Sequence, residues 1–253
     1  MILLSVEKLS KHFEGVRALD DLDLSVEQGE IRGIIGPNGS GKTTFVNLVS
    51  GILPATRGRM LFQGDDITTL KSHAIVQRGI ARTFQIPKIL PEMSCLENVM
   101  LGRHCRNSFD LLGTWLRVPF ARSEQEVEIR RKSMEVLAFI GLEAVTDRMG
   151  HELSWVEEQL LQICRALISD PRLLLLDEPT AGMGEAESKA VQEAIRRIQS
   201  RGVTTIIVAH DMNLISEISD RVTCLSFGTK IADGATRSVL NDPKVLEVYL
   251  GAE

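Results

Sequence analysis

The 253-residue sequence lacks several features that would each point to a particular class of protein. No apolar run approaches the roughly 20 residues that a membrane span needs. The net charge is −5, so no broad basic surface for nucleic acid is indicated. The four cysteines form no Cys-x-x-Cys pair, which predicts unpaired thiols in a reducing compartment and no metal site built from cysteines. Residues 1–4 are apolar but too short for a signal peptide and lack its basic flank, so we expect them to begin a strand.

The two ends of the sequence have different hydrophobic patterns. Residues 4–7 and 22–26 alternate between apolar and polar, which predicts half-buried strands in the N-terminal third. Residues 173–176 and 203–208 are continuous apolar runs, and a helical segment at 186–199 lies between them. That order predicts a parallel sheet covered on both faces, and therefore an α/β protein.

The middle of the chain has the signals of helices. Ser123 and Glu126 have the spacing of a capping box, which predicts that a helix starts there and continues to residue 140. The preceding residues, 103–122, contain glycine, proline and scattered apolar side chains. We interpret them as a loop-rich insertion with a short helix.

A glycine-rich loop between a predicted strand and a predicted helix is the most informative segment. Glycines let backbone N–H groups approach phosphate oxygens, the lysine adds a mobile positive charge, and the first threonine hydroxyl can bind Mg²⁺. The alternative is a glycine-rich turn that binds nothing. The predicted nucleotide-binding residues of this loop are Gly36, Pro37, Asn38, Gly39, Ser40, Gly41, Lys42, Thr43 and Thr44.

A second motif follows in the last third, where four leucines precede Asp177 and Glu178. Asp177 is predicted at the carboxyl end of a buried strand, which is where ligands bind in open α/β sheets. Its carboxylate can orient water on Mg²⁺, and Glu178 can polarise an attacking water. The alternative is a buried strand that ends in an acidic turn. Together, in this order and spacing, the two motifs predict nucleotide binding and hydrolysis.

With these motifs the chain resembles the nucleotide-binding subunit of ABC transporters over essentially its whole length. The resemblance implies a P-loop NTPase fold, with a RecA-like α/β core, an N-terminal antiparallel β subdomain and an inserted helical subdomain. It places residues 1–92 and 159–253 in the core with its β subdomain, and residues 93–158 in the helical subdomain. ATP and Mg²⁺ are the cofactors that it implies.

Three further residues match positions of that family. Phe13 matches the aromatic residue that stacks on adenine, Gln85 the glutamine that binds Mg²⁺ and senses the membrane partner, and His210 the histidine that contacts the γ-phosphate. Taken alone, Phe13 could be a core phenylalanine and His210 a structural histidine. The resemblance implies a catalytic set of Lys42, Glu178 and His210, with Glu178 as the base. The Mg²⁺ ligands that it implies are Thr43, Gln85 and Asp177.

A finer resemblance is to the ATPases of branched-chain and hydrophobic amino-acid uptake systems. Residues 79–87, the insertion at 101–122 and the tail at 242–251 carry it. It implies ATP hydrolysis that powers solute import, with integral membrane permease subunits as partners and a solute-binding protein as an indirect one. The implied location is peripheral, on the cytoplasmic face of the membrane. Importers of urea, amides or aromatic acids use the same type of ATPase, so they stay open. An ABC-type ATPase acting on nucleic acid or ribosomes is disfavoured by the acidic balance and by the lack of a second ATPase unit or long arms.

One segment departs from the family signature. Where the family has Leu-Ser, a variable residue, Gly and Gln, this chain has Leu153, Ser154, Trp155, Val156 and Glu157. The resemblance implies that this helix start meets the γ-phosphate held by a second ATPase subunit. Valine hinders the close approach that glycine allows, and added negative charge opposes an anion. We therefore expect an asymmetric, head-to-tail heterodimer. The alternatives are that Ser154 and Glu157 simply cap a helix, and that the chain is a weakly hydrolysing regulatory subunit.

Overall fold

The computed structural model describes residues 1–103 and 119–250. Most of the predicted insertion, Cys105 and the last three residues lie outside this described part. Cys95, Cys164 and Cys224 are buried and free, as expected. None of the described helices combines the length and the apolar character that crossing a membrane requires.

Two β-sheets organise the described residues. One is antiparallel, with the order β2-β1-β4-β5, and the other has the order β10-β9-β3-β8-β7-β6. In the second sheet β6, β7, β8, β3 and β9 are parallel neighbours, and β10 pairs antiparallel at the edge. The strands are β1 (Ile2–Phe13), β2 (Val16–Glu27), β3 (Ile31–Ile35), β4 (Arg57–Phe62), β5 (Asp65–Asp66), β6 (Ile80–Arg82), β7 (Leu173–Asp177), β8 (Thr204–Val208), β9 (Arg221–Ser226) and β10 (Thr229–Ala235).

Helices connect and cover these strands. The described α-helices are α1 (Lys42–Val49), α2 (Ser72–Arg78), α3 (Cys95–Leu101), α4 (Pro119–Ile140), α5 (Trp155–Leu167), α6 (Glu185–Ser200), α7 (Met212–Ile218), α8 (Thr236–Leu240) and α9 (Pro243–Leu250). The predicted helix start at Ser123 is wrong, because α4 already begins at Pro119 and Ser123 lies inside it. Proline is favoured at the first helical position, where its missing N–H costs nothing, so it provides an earlier start signal.

The parallel sheet separates two hydrophobic clusters, because successive side chains of a strand point to opposite faces. In β7, Leu174 and Leu176 join the cluster beneath α5 and α6, while Leu173 and Leu175 join the cluster shared with α1 and the antiparallel sheet. All five residues of β7 are buried, as are those of β3 and β8. The predicted fold class, an α/β core with an N-terminal antiparallel β subdomain, is confirmed.

Strand register brings the chemically important segments to one edge. Ile34 and Asp177 both pair with Val208, from opposite sides of β8. The residues that follow these strand ends therefore emerge side by side at the carboxyl edge of the sheet. This is the position at which open α/β sheets bind their ligands.

Candidate functional site

The glycine-rich loop leads from β3 directly into the N-terminus of α1. Gly41 stands at the N-cap with a φ of 103°, and α1 has neither a side-chain cap nor an acidic residue in its first turn. The N–H of Phe45 donates to the carbonyl of Gly41 at 2.9 Å, which starts the helical hydrogen bonds. The preceding N–H groups of the first turn are therefore free to bind an anion.

Two glycines are required by the tight path of this loop. Gly36 has a φ of 147°, and a Cβ there would lie 2.1 Å from the carbonyl oxygen of Leu225. At Gly41 a Cβ would lie 2.5 Å from the carbonyl oxygen of Ala18. Real Cβ atoms do not approach this closely, so larger residues would open the loop.

The side chain of Lys42 folds back into the loop. Its Nζ donates to the carbonyl oxygens of Gly36 at 2.7 Å and Pro37 at 2.9 Å. Burial lowers the pKa of Lys42, while the charges of Glu178 and Asp177 act in the opposite direction. An amine held by two carbonyl oxygens can move to a phosphate, which is a stronger acceptor because it is charged.

The other loop residues differ in exposure. Asn38, Gly39 and Thr43 are exposed, whereas Pro37 and Thr44 are half-buried. The Ser40 hydroxyl is buried and makes no hydrogen bond in the described part of the chain. An unpaired buried polar atom is uncommon in folded proteins, so this hydroxyl is a candidate donor to a polar group that binds in the loop.

Asp177 ends β7 with its side chain only 6% exposed. Burial raises the pKa of Asp177, and the nearby charges of Arg82 and Lys42 partly counteract this effect. Arg82, at the end of β6, lies 3.3 Å from the carboxylate and also donates to Asn47 of α1 and to Ser50 at its C-cap. Arg82 was not predicted from the sequence as a site residue, although it lies three residues before Gln85 in the segment that resembles the family.

Glu178 lies directly beyond the strand, in an unusual backbone conformation. Its φ is 49°, a left-handed backbone conformation that residues other than glycine adopt at an energetic cost. Its Oε2 accepts a hydrogen bond from Nε2 of Gln85 at 2.8 Å, and Nδ1 of His210 lies 3.5 Å away. The side chain of His210 is 61% exposed, so its surroundings are not those of a structural core histidine.

The segment that carries Gln85 is fixed by α5. Gln162 donates to the carbonyl of Phe84 and accepts from its N–H, both at 2.8 Å, and Gln159 donates to the carbonyl of Gln85 at 3.3 Å. Gln159 and Gln162 are three residues apart, which places both on the same face of the helix. The roles of these two glutamines were not predicted from the sequence, because only their spacing distinguishes them from other polar residues of a helix.

Phe13 occupies the end of β1 and is 41% exposed. Nζ of Lys11 lies 5.0 Å from the centroid of its ring. Phe13 is therefore not a core phenylalanine, and its ring can take part in stacking.

The segment from Ser154 to Glu157 has its own set of contacts at the start of α5. Ser154 and Glu157 form a capping box, and Nε1 of Trp155 donates to the carbonyl of Ala181 at 3.1 Å. Val156 is half-buried against the larger core cluster. Burial opposes the ionisation of Glu157, but hydrogen bonds from Ser154 and the nearby Arg148 prevail and hold the pKa of Glu157 below its ordinary value.

The residues expected to hold Mg²⁺ fit the chemistry of that ion. Thr43, Gln85 and Asp177 offer hydroxyl, amide and carboxylate oxygens, the ligand types that Mg²⁺ prefers alongside substrate phosphates. Within residues 1–103 and 119–250, no group of three or more His, Cys, Asp or Glu side chains could hold a metal alone. The donor set is thus suited to a metal that arrives with phosphate.

The fold, the phosphate loop and the acidic strand end define a nucleotide-binding P-loop ATPase. Comparison with known proteins agrees: the ABC transporter family matches residues 19–181, and a family described as branched-chain amino acid ATP-binding cassette transporter matches residues 229–253. A probable branched-chain amino acid transport ATP-binding protein LivG of Archaeoglobus fulgidus is 39% identical and covers 100% of this chain and 97% of its own length. The high-affinity LivG of Escherichia coli K12 is 34% identical and covers 98% of both.

Solved structures agree with the relatives. The ADP conformation of MJ1267, an ATP-binding cassette of an ABC transporter, has a TM-score of 0.88 at 34% identity and covers 99% of both chains. A nucleotide-free ATP-binding cassette has a TM-score of 0.86 at 33% identity, covering 98% of this chain and 99% of its own. The chain belongs to the ABC transporter family, among the ATP-binding proteins of its branched-chain amino acid branch.

Proposed function

We propose that this chain hydrolyses ATP to power the import of branched-chain or other hydrophobic amino acids through separate membrane subunits. The observation that carries the proposal is the meeting of Gln85, Glu178 and His210 beside Asp177, at the sheet edge where the phosphate loop begins. The names of the relatives support the choice of solute.

In this proposal the phosphate loop binds the β- and γ-phosphates of ATP. The open N–H groups of α1 receive phosphate oxygens, and Lys42 moves its amine from the carbonyls of Gly36 and Pro37 to the phosphates. Phe13 stacks on the adenine. The buried carboxylates nearby would repel the phosphates, so they require a balancing positive charge.

Mg²⁺, held by Thr43, Gln85 and Asp177 together with the phosphates, would neutralise the charge that develops during transfer. Glu178 acts as the general base that takes a proton from the attacking water. His210 contacts the γ-phosphate and positions it. Gln85 donates to Glu178 through Nε2 in this structure, so Oε1 is the atom that it would offer to the metal.

The membrane subunit would act through the segment that carries Gln85. A cleft of about 310 Å³ opens beside it, between α2, the end of α3 and α5. Its mainly apolar lining includes Ile52 and Phe84, and two charged side chains, Arg82 and Arg165, also line it. An inserted permease helix would displace Phe84 and thereby shift Gln85. In this scheme residues 93–158 form the helical subdomain, and α5 crosses its boundary to reach the core.

We further propose that the active assembly is a head-to-tail pair with a different ATPase subunit. This chain supplies a complete phosphate loop, with Asp177, Glu178 and His210, to one site. To the other site it supplies the segment Ser154 to Glu157, in which the helix start is already capped by its own carboxylate. That second site would hold nucleotide less tightly or turn it over slowly.

Reconstitution tests the solute and the pairing together. The chain is purified with its permease subunits and partner ATPase in vesicles, and ATP turnover is measured with leucine, isoleucine, valine, urea or an aromatic acid plus the cognate binding protein. We expect stimulation by branched-chain amino acids. Stimulation by urea or the aromatic acid alone would overturn the solute assignment, and full turnover by this chain without its partner would overturn the pairing.

A further inference from the structure

The C-terminal helix α9 reaches the base of the phosphate loop. Tyr249, the single tyrosine of the sequence, lies near the end of this helix and packs against the larger core cluster. Its hydroxyl accepts a hydrogen bond from the N–H of Gly36 at 2.7 Å. The two residues are 213 positions apart, so the contact joins the tail to the first glycine of the loop.

Gly36 is a sensitive point of that loop. Its φ of 147° is accessible only to glycine, and its carbonyl oxygen accepts the amine of Lys42 at 2.7 Å. Tyr249 and Lys42 thus bind the two peptide groups that flank one Cα. Together these hydrogen bonds fix the direction in which the chain leaves β3 and enters the turn around the phosphates.

We propose that Tyr249 is a positioning residue of the ATP site, whose hydroxyl holds Gly36 in the conformation that the phosphate loop needs to wrap a nucleotide. The inference rests on the proposed binding of ATP by this loop. When Lys42 turns from Gly36 to a phosphate, the loop loses its hydrogen bond at the carbonyl. The hydrogen bond from the N–H to Tyr249 then remains to keep Gly36 in place.

The ionisation state of the phenol suits this role. Burial raises the pKa of Tyr249 to about 12, so the hydroxyl remains neutral at physiological pH. A neutral hydroxyl can accept from Gly36 without placing a negative charge beside the phosphates. The positioning should therefore be independent of pH across the neutral range.

Replacing Tyr249 with phenylalanine tests the inference, because it removes the hydroxyl and keeps the ring in the core. The affinity of the full chain for Mg-ATP is measured by displacement of a fluorescent nucleotide, and kcat and KM are measured in the assembled transporter. We expect Kd and KM to rise about 5- to 10-fold, the size that loss of one buried hydrogen bond gives, while kcat changes by less than about twofold.

A matched control removes another hydroxyl of the C-terminal region. Thr236, the first residue of α8, donates through Oγ1 to the carbonyl of Ser219 at 2.6 Å. Thr236→Val therefore removes a side-chain hydrogen bond similar in length to the one between Gly36 and Tyr249. We expect Thr236→Val to lower the melting temperature and leave ATP affinity unchanged. Nucleotide affinity of Tyr249→Phe within about twofold of wild type would overturn the inference. Failure of the wild-type chain to bind Mg-ATP would instead overturn the proposed function.

Discussion

Two helix N-termini of this chain, those of α1 and α5, satisfy their backbone N–H groups in opposite ways. At α1 the N-cap is Gly41, and neither a capping side chain nor an acidic residue occupies the first turn. At α5 the N-cap is Ser154, the capping box is complete, and Glu157 and Glu158 lie in the first turn. The first helix start is open to an outside anion, whereas the second already holds an anion of its own.

In the proposed asymmetric pair, this difference would make the site at α1 complete and the site at α5 weak. A helix N-terminus binds phosphate through free N–H groups and the positive end of its dipole. At α5, Glu157 uses the N–H of Ser154 and pairs with Arg148 at 2.9 Å. A phosphate brought to α5 by a partner subunit would have to compete with these contacts. Substitutions at the two helix starts should therefore have different effects on ATP binding and turnover.

The largest expected effect concerns the chemistry at the open end. Glu178→Gln keeps the size of the side chain but removes the proposed base, so ATP turnover should fall by about 10²- to 10⁴-fold while ATP binding remains. Turnover is measured in the reconstituted pair and binding by nucleotide displacement. Glu185→Gln, at an exposed position of α6, is the matched control and should leave both unchanged. Unaltered turnover in Glu178→Gln would show that Glu178 is not the base and would favour a regulatory role.

Removal of the lysine charge tests the anion site itself. Lys42→Ala should weaken Mg-ATP binding by about 10- to 100-fold, the size expected for hydrogen bonds to a charged group. Titration of the purified chain with a fluorescent nucleotide measures the effect. Lys189→Ala removes an exposed lysine of α6 and should leave the affinity unchanged. Equal Mg-ATP affinities of the two variants would mean that the loop does not bind phosphate through Lys42.

Acidification should weaken the proposed Mg²⁺ site, because Asp177 is one of its proposed ligands. Because burial raises the pKa of this carboxyl, Asp177 takes up a proton at a higher pH than an ordinary aspartate. Below that pKa, Mg²⁺ affinity should fall about tenfold per pH unit, since the metal requires the ionised ligand. Protonation in turn stabilises the nucleotide-free fold, and that contribution is lost as the pH rises through the raised pKa. Mg²⁺ titrations of the ATP complex at several pH values check the direction, with Asp177→Asn as the pH-insensitive control.

At the start of α5, Val156→Gly should increase turnover at the ATP site to which this chain contributes that helix start. If side-chain bulk limits approach to the facing phosphate, ATP turnover by the chain without its partner should rise about three- to tenfold. Val156 also packs against the core, so the variant should lose some thermal stability. Val156→Ala removes most of the bulk and the packing without the backbone freedom of glycine, so a similar rise in turnover in this variant would identify bulk as the limiting factor. High unaided turnover in the wild type that Val156→Gly leaves unchanged would contradict the asymmetric pair.

The sequence predicted what depends on local pattern. Three features could be predicted without a structure: the period of two in the N-terminal strands, the apolar runs of β7 and β8, and the loop from Gly36 to Thr44. It did not predict the contacts of Arg82 with Asp177 or of Tyr249 with Gly36, since each joins residues 95 or more positions apart. The start of α4 was misplaced because Pro119 and Ser123 both carry helix-start signals, and local chemistry does not decide between them.

The smallest expected effect comes from Glu157→Gln, which restores the family residue at the capped end. Glutamine can still complete a capping box, so only the charge and its pairing with Arg148 are lost. The free energy of unfolding should change by no more than about 1 kcal/mol, as for other partly exposed ion pairs. Because hydrogen bonds and Arg148 hold the pKa of Glu157 low, ionised Glu157 contributes stability at neutral pH that is lost as the pH falls through that pKa. The difference in unfolding free energy between wild type and variant, measured by denaturant titration, should therefore shrink on acidification. A difference that stays constant with pH would show that capping geometry, and not charge, distinguishes the start of α5 from that of α1.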